Sequence, residues 1–115
     1  MNRTNFKMEY QSITMTKGDT LSFNVIVEDQ DGNAMTVDTC FFTCKKLATD
    51  ELKVFQKSLS AGISQEDGVI TVRVAPEDTR NVDAGEYYYD CEICVGDDVF
   101  TLMKGILTIE QDVTF

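Results

Sequence analysis

The chain alternates. Apolar and polar residues exchange places at every second position in segment after segment, and a period of two suits a half-buried β-strand. In "TLSFNVIVE", residues 20–28, Leu21, Phe23, Val25 and Val27 share one face, and Ser22, Asn24 and Glu28 share the other. "TCFFTCKK", 39–46, sets Cys40, Phe42 and Cys44 against Phe41, Thr43 and Lys45. "DGVITVRV", 67–74, sets Ile70, Val72 and Val74 against Thr71 and Arg73, and "EYYYDCEI", 86–93, sets Tyr87, Tyr89, Cys91 and Ile93 against Tyr88, Asp90 and Glu92. "SITM", "VFQKSL" and "VFTLMKGILTI" bring the expected total to about seven strands. The last of these changes parity between Phe100/Leu102 and Leu107/Ile109, which predicts a bulge at Lys104–Gly105. "DQDGN" and "GDD" supply turns. Only "PEDTRNV" departs from strand chemistry. Pro76 suits the first position of a helix, and Glu77 and Asp78 suit its positive end, so one short helical turn is expected near residues 76–82. The pattern predicts an all-β chain folded as a two-sheet antiparallel sandwich.

Its 115 residues, 43% hydrophobic and 26% charged, suit a single folded domain over 1–115, with residues 1–8 expected as an N-terminal arm. No apolar run approaches the roughly 20 residues of a membrane helix. "MNRTNFKMEYQ" has no apolar signal core, so nothing in it argues for secretion. Beginning at Met1, the chain is expected to be a whole gene product. Twenty acidic residues against ten basic give a formal charge of −10. No basic cluster exceeds Lys45–Lys46, so neither nucleic acid nor membrane is expected as a partner.

Candidate chemistry is sparse. The chain has no histidine, which removes the Ser-His-acid triad, the Cys-His dyad and the usual His-bearing metal sets. Among so many acids some carboxylate pair will lie close by chance, yet no aromatic-rich groove with tryptophan is evident to hold a sugar between them. The four cysteines come as Cys40-x3-Cys44 and Cys91-x2-Cys94, a spacing with some likeness to half-sites for zinc. On a strand, however, residues three apart face opposite ways, and no glycine or proline makes a knuckle between Cys91 and Cys94. A redox pair would open a helix, and this one ends a strand. Four small core fillers in a reducing compartment is the simpler reading. Cys40 and Cys91 both face inward and could meet on facing strands, so a disulfide stays open, although without a secretion signal thiols are expected. "DQDGN" has only part of a calcium loop, and the ligand spacing fails. No enzyme activity, no metal and no cofactor are expected.

Two further features concern surface and fold. Phe41 and Tyr88 point outward on neighbouring strands and are candidate partner-facing aromatics, with Ile26 and Val69 joining them if their strands adjoin. "DAGEYYYDCEIC" runs Asp83, Gly85, Tyr87, the spacing that approaches the second cysteine of an antibody domain. Counting on, the cysteine position holds Tyr89, and the chain has no tryptophan to pack on a bridge. The stretch therefore resembles the tyrosine corner of an immunoglobulin-like sandwich without its disulfide, and the Tyr87 hydroxyl is expected to bond backbone at that corner.

Taken in order, "ITMTKGDTLSFNVIVEDQDGN", "FFTCKK", "FQKSLS", "DGVITVRVAPEDTRNVDAGEYYYDCEI" and "KGILTIEQD" resemble small immunoglobulin-like structural proteins of phages and prophages in Gram-positive bacteria, in particular the N-terminal domain of the baseplate upper protein. The likeness spans about residues 12–112. It implies an immunoglobulin-like sandwich, and a virion structural role in the tail or baseplate, with other tail proteins or copies of itself as partners. The chain would occupy the bacterial cytoplasm during assembly and then the virion. The larger baseplate proteins continue into further domains and this chain stops at Phe115, so receptor binding does not carry over. "EQDVTF" is expected as a docking tail. A stand-alone carbohydrate or protein adhesion module, or a capsid decoration protein, is the alternative.

Overall fold

The computed structural model describes residues 8–113. The expected arm, apart from Met8, lies outside them, as do the last two residues of the expected docking tail. Nine strands and one helical turn follow in chain order: β1 (Glu9–Tyr10), β2 (Ile13–Thr16), β3 (Leu21–Ile26), β4 (Thr39–Lys45), β5 (Phe55–Leu59), β6 (Gly62–Glu66), β7 (Val69–Val74), α1 (Pro76–Thr79), β8 (Gly85–Val95) and β9 (Asp98–Glu110).

Hydrogen-bonded neighbours run β1-β9-β8-β4-β5-β6-β7-β3, with β2 also on β9. The path folds back on itself. Phe23 of β3 meets Phe42 of β4 edge-on at 5.6 Å, although β5, β6 and β7 lie between them in the pairing order. One layer holds β1, β2, β9, β8, β4 and β5, the other holds β6, β7 and β3, and a two-rung parallel contact between β5 and β6 joins them along one side. The first strands run parallel to the last, and the remaining ladders, β5–β6 apart, are antiparallel. This is an immunoglobulin-like sandwich.

The core follows the alternation. Cys40, Phe42 and Cys44 of β4, Ile70, Val72 and Val74 of β7, and Tyr87, Tyr89, Cys91 and Ile93 of β8 are all buried. Phe42 sits at the centre, stacking on Tyr89 at 5.3 Å and on Phe55 at 6.1 Å. Leu21, Phe23 and Val25 of β3 face the same core but are only half-buried.

Three expectations are refined. Among the described residues the strand count is nine rather than about seven, because β1 has only two residues and β6, "GISQE", buries a single side chain, Ile63. Neither leaves a run of alternation to detect. The helical turn ends at Thr79 rather than at residue 82, and Val82 closes the following turn by donating to the Thr79 carbonyl. The bulge falls at Leu102, not at Lys104–Gly105: Cys91 pairs with Met103 and Glu92 with Thr101, so Leu102 is the extra residue. Leu102 and Met103 are both buried as a result, and this doubling restores the inward parity of Leu107 and Ile109.

Gly105 has a different task. A Cβ there would collide with the carbonyl of Gln11, which crosses β9 at this point between β1 and β2. Gln11 N–H donates to the Lys104 carbonyl at 3.0 Å, and the Tyr89 hydroxyl donates to the Gln11 carbonyl at 2.6 Å. Two residues before Tyr89, the Tyr87 hydroxyl donates to the Asp83 carbonyl at 2.5 Å. Burial first, then the charge of Asp83, pushes the Tyr87 hydroxyl above the ordinary tyrosine range. Gly85 opens β8 between them with φ of 151°, a conformation that suits glycine. At the other end of the loop, Asp78 accepts from the Ala75 N–H at 2.7 Å and from Lys57 Nζ at 2.8 Å, and the fully buried Thr79 accepts from the Gly18 N–H at 2.9 Å.

Two substitutions test this account by urea denaturation. Tyr87→Phe should cost about 1 kcal/mol or more, because it removes the hydroxyl and leaves the Asp83 carbonyl without that donor. Gly105→Ala should cost more, about 1–3 kcal/mol, because the added methyl meets backbone rather than a yielding side chain. It should also raise the amide exchange of Gln11.

Candidate functional site

The strand pleat fixes what the layer built on β9, β8 and β4 shows to solvent. Tyr88 and Asp90 of β8, Lys104 and Ile106 of β9, and Phe41, Thr43 and Lys45 of β4 share the outer face. β1 extends that face, since its parallel pairing sets Tyr10 beside Lys104. Tyr10 is 75% exposed and Tyr88 44%, both high for large aromatics. The Lys104 ammonium lies 5.2 Å from the Tyr10 ring centroid, within cation–π range. Tyr10, Lys45, Tyr88, Asp90, Lys104 and Ile106 line a recess of about 490 Å³.

Asp90 is the electrostatic centre of the recess. Its rung has Thr43 on one side and Lys104 on the other. Partial burial raises its carboxyl above the ordinary aspartate range, while Lys45 and Lys104 act to lower it. Two tyrosines, an isoleucine, two lysines and one partly desolvated carboxylate thus stand together on rigid strands, aromatic rings beside charges of both signs.

Phe41 does not belong to this recess. It is half-buried, lies across from Glu92 and Ser58, and lines an adjoining shallow hollow with Lys53 and Gln56 that shares Thr43, Lys45 and Asp90 with the recess. The Thr43–Asp90 rung separates the Phe41 and Tyr88 rungs, which stand about 13 Å apart along β4. Ile26 and Val69 do adjoin as partners of β3 and β7, but in the other layer, so they cannot extend the Tyr88 patch. Asp83, Gly85 and Tyr87 form the structural corner already described. Tyr10, Lys104 and Ile106 escape sequence reasoning because β1 is too short to show alternation and the outer parity of β9 depends on where the bulge falls.

The cysteines form no knuckle. Cys40, Cys44 and Cys91 are buried and Cys94 is half-buried, all as free thiols. Cys40 and Cys91 are on adjacent strands of one layer rather than on facing strands, with their sulfurs 3.8 Å apart. The hydrogen bond with Cys40 and then burial push the Cys91 thiol up, and burial pushes Cys44 up to about 12. Such thiols stay protonated and behave as small hydrophobes. Among the described residues no three or more Cys, Asp or Glu side chains are grouped to hold a metal ion. In the loop "DQDGN" the Asp29 carboxylate accepts from the Asp31 and Asn33 amides, both at 2.9 Å, as a turn-forming side chain does.

No family model matches the chain, and no curated protein matches it. Solved structures do resemble it. The N-terminal four Ig domains of Dscam1 isoform 7.44 align over 96% of this chain and 25% of that one, at 12% identity and a TM-score of 0.47. The N-terminal Ig1-2 module of the Drosophila receptor protein tyrosine phosphatase DLAR aligns over 91% and 46%, at 16% identity and a TM-score of 0.44. This chain thus spans less than half the length of each. The fold assignment rests on the strand order and not on these likenesses.

A carboxyl raised in the folded state makes the charged form the less favoured one there. Stability owed to Asp90 is then present below the ordinary aspartate pKa and lost as pH rises through the higher folded value. Asp90→Asn should therefore gain stability relative to the parent chain between about pH 4 and pH 7. Denaturation midpoints measured across that interval should diverge in favour of the variant.

Proposed function

We propose that this chain is a non-catalytic docking module of a virion: one immunoglobulin-like domain that attaches to neighbouring tail or baseplate proteins of a phage or prophage, or to copies of itself. The observation that carries the docking reading is the recess of Tyr10, Tyr88 and Ile106 with its Lys45, Asp90 and Lys104 charges. Exposed aromatics on a rigid sheet lose little conformational freedom on binding, and they combine apolar area with polar tips. The absence of histidine and the burial of three of the four cysteines support a role without catalysis. The ordered resemblance of "KGDT", "FFTCKK" and the Tyr87 corner to phage baseplate sandwiches supports the virion setting. In that setting the chain assembles in the bacterial cytoplasm and leaves in the particle.

The test is peptide mass spectrometry of gradient-purified particles from the induced source strain, with antibody–gold labelling of the same particles. Peptides in stoichiometric amount and gold at the tail tip are expected. Gold on the head would replace the baseplate reading with capsid decoration. Absence from particles, with the protein abundant in the lysate, would overturn the virion role and leave an adhesion module to be tested against sugars and proteins.

A further inference from the structure

The edge of β3 is open. Among the described residues β3 ends the pairing order and pairs only with β7. In such a ladder alternate residues turn their N–H and C=O away from the partner strand, toward the free side. Natural sheets protect such an edge with charge, proline, a bulge or a covering loop. "LSFNVI" contains neither a charged residue nor a proline, and its register with β7 is unbroken.

Among the described residues the inner face of β3 is only partly covered. Leu21, Phe23 and Val25 are half-buried, whereas their partners Val74, Val72 and Ile70 are no more than 1% exposed. The cause is local: β1 and β2 are bonded to β9 and do not lie against β3. A groove of about 730 Å³ runs between them, with Leu21, Phe23 and Val25 as its floor and Glu9, Glu28 and Asp29 among its polar residues. Among the described residues no lysine or arginine lines it. Amides of its own loop, that of Asn33 foremost, hold the Asp29 carboxyl below the ordinary range, so this wall of the groove stays anionic.

We propose that this edge and groove accept an added strand from a partner protein, an extended segment with apolar residues at alternate positions and lysine or arginine among the others. Its backbone bonds to the free N–H and C=O groups of β3, its apolar side chains cover Leu21, Phe23 and Val25, and its cations meet Glu9, Glu28 and Asp29. Charge selects this occupant over a second copy, since the chain carries a formal −10 and two acidic edges repel. The site is separate from the Tyr10–Tyr88 recess and stands or falls without it.

The probe is a short fluorescein-labelled peptide of alternating valine and lysine, titrated by anisotropy into the full chain at low salt. Saturable binding is expected, and Glu9→Lys with Glu28→Lys should weaken it about tenfold or more. Two N-methylated versions of the peptide, one for each alternate set of amides, should differ: the set facing β3 loses binding and the other keeps it. Tyr88→Ser should leave binding unchanged. No binding, equal binding of a valine–glutamate peptide, or indifference to both methylations would overturn the proposal. So would binding that appears only after residues 1–7 are deleted, which would make the chain's own start the occupant. Sedimentation as a dimer that excludes the peptide would make a second copy the occupant, with the same consequence.

Discussion

The seat of Gln11 on β9 is the contact on which the rest of the molecule depends. Its N–H bonds to the Lys104 carbonyl, its carbonyl takes the Tyr89 hydroxyl, and its backbone fits only because Gly105 has no side chain. One residue thus ties the start of the chain to the final strand and to the buried ring of Tyr89. Tyr89 stacks on Phe42, so the tie reaches the centre of the core. The Tyr89 hydroxyl, pushed up to about 12 by burial and then by the neighbouring Cys91, remains a donor across any ordinary pH. A long-range bond of this kind, 78 residues apart in sequence, orders the N-terminal strands without needing alternation in them.

This explains what could be read from the sequence and what could not. β4, β7 and β8 are legible because each buries one whole face, and the alternation of Cys40, Phe42, Cys44 or Tyr87, Tyr89, Cys91 records it directly. β1 is illegible because it is held by backbone bonds and by Gln11, not by apolar side chains; both its residues are exposed. The parity change in β9 is visible, but its position is not. Leu102 and Met103 are both apolar, so either could be the inserted residue, and Gly105 attracts the assignment although its reason is the Gln11 crossing. The outward aromatics divide in the same way. Tyr88 is correctly placed by parity. Its companions Tyr10 and Lys104 come from a strand without a pattern and from a strand whose parity hinges on the bulge.

Both candidate surfaces follow from the same crossing. Because Gln11 holds the chain on β9, Tyr10 emerges beside Lys104 on the outer face and completes the aromatic recess. The same choice of partner takes β1 and β2 away from β3, which leaves Leu21, Phe23 and Val25 half-covered. Covering them would be favourable at about 25 cal/mol per Å² of apolar surface removed from water. A half-covered phenylalanine, leucine and valine on one uncharged edge favour association. On the proposed reading, like charge would keep copies apart, while Glu9, Glu28 and Asp29 would draw a cationic strand. On that reading the negative charge of the chain would act as a filter on the β3 edge, admitting partners by sign before the pleat sorts them by shape.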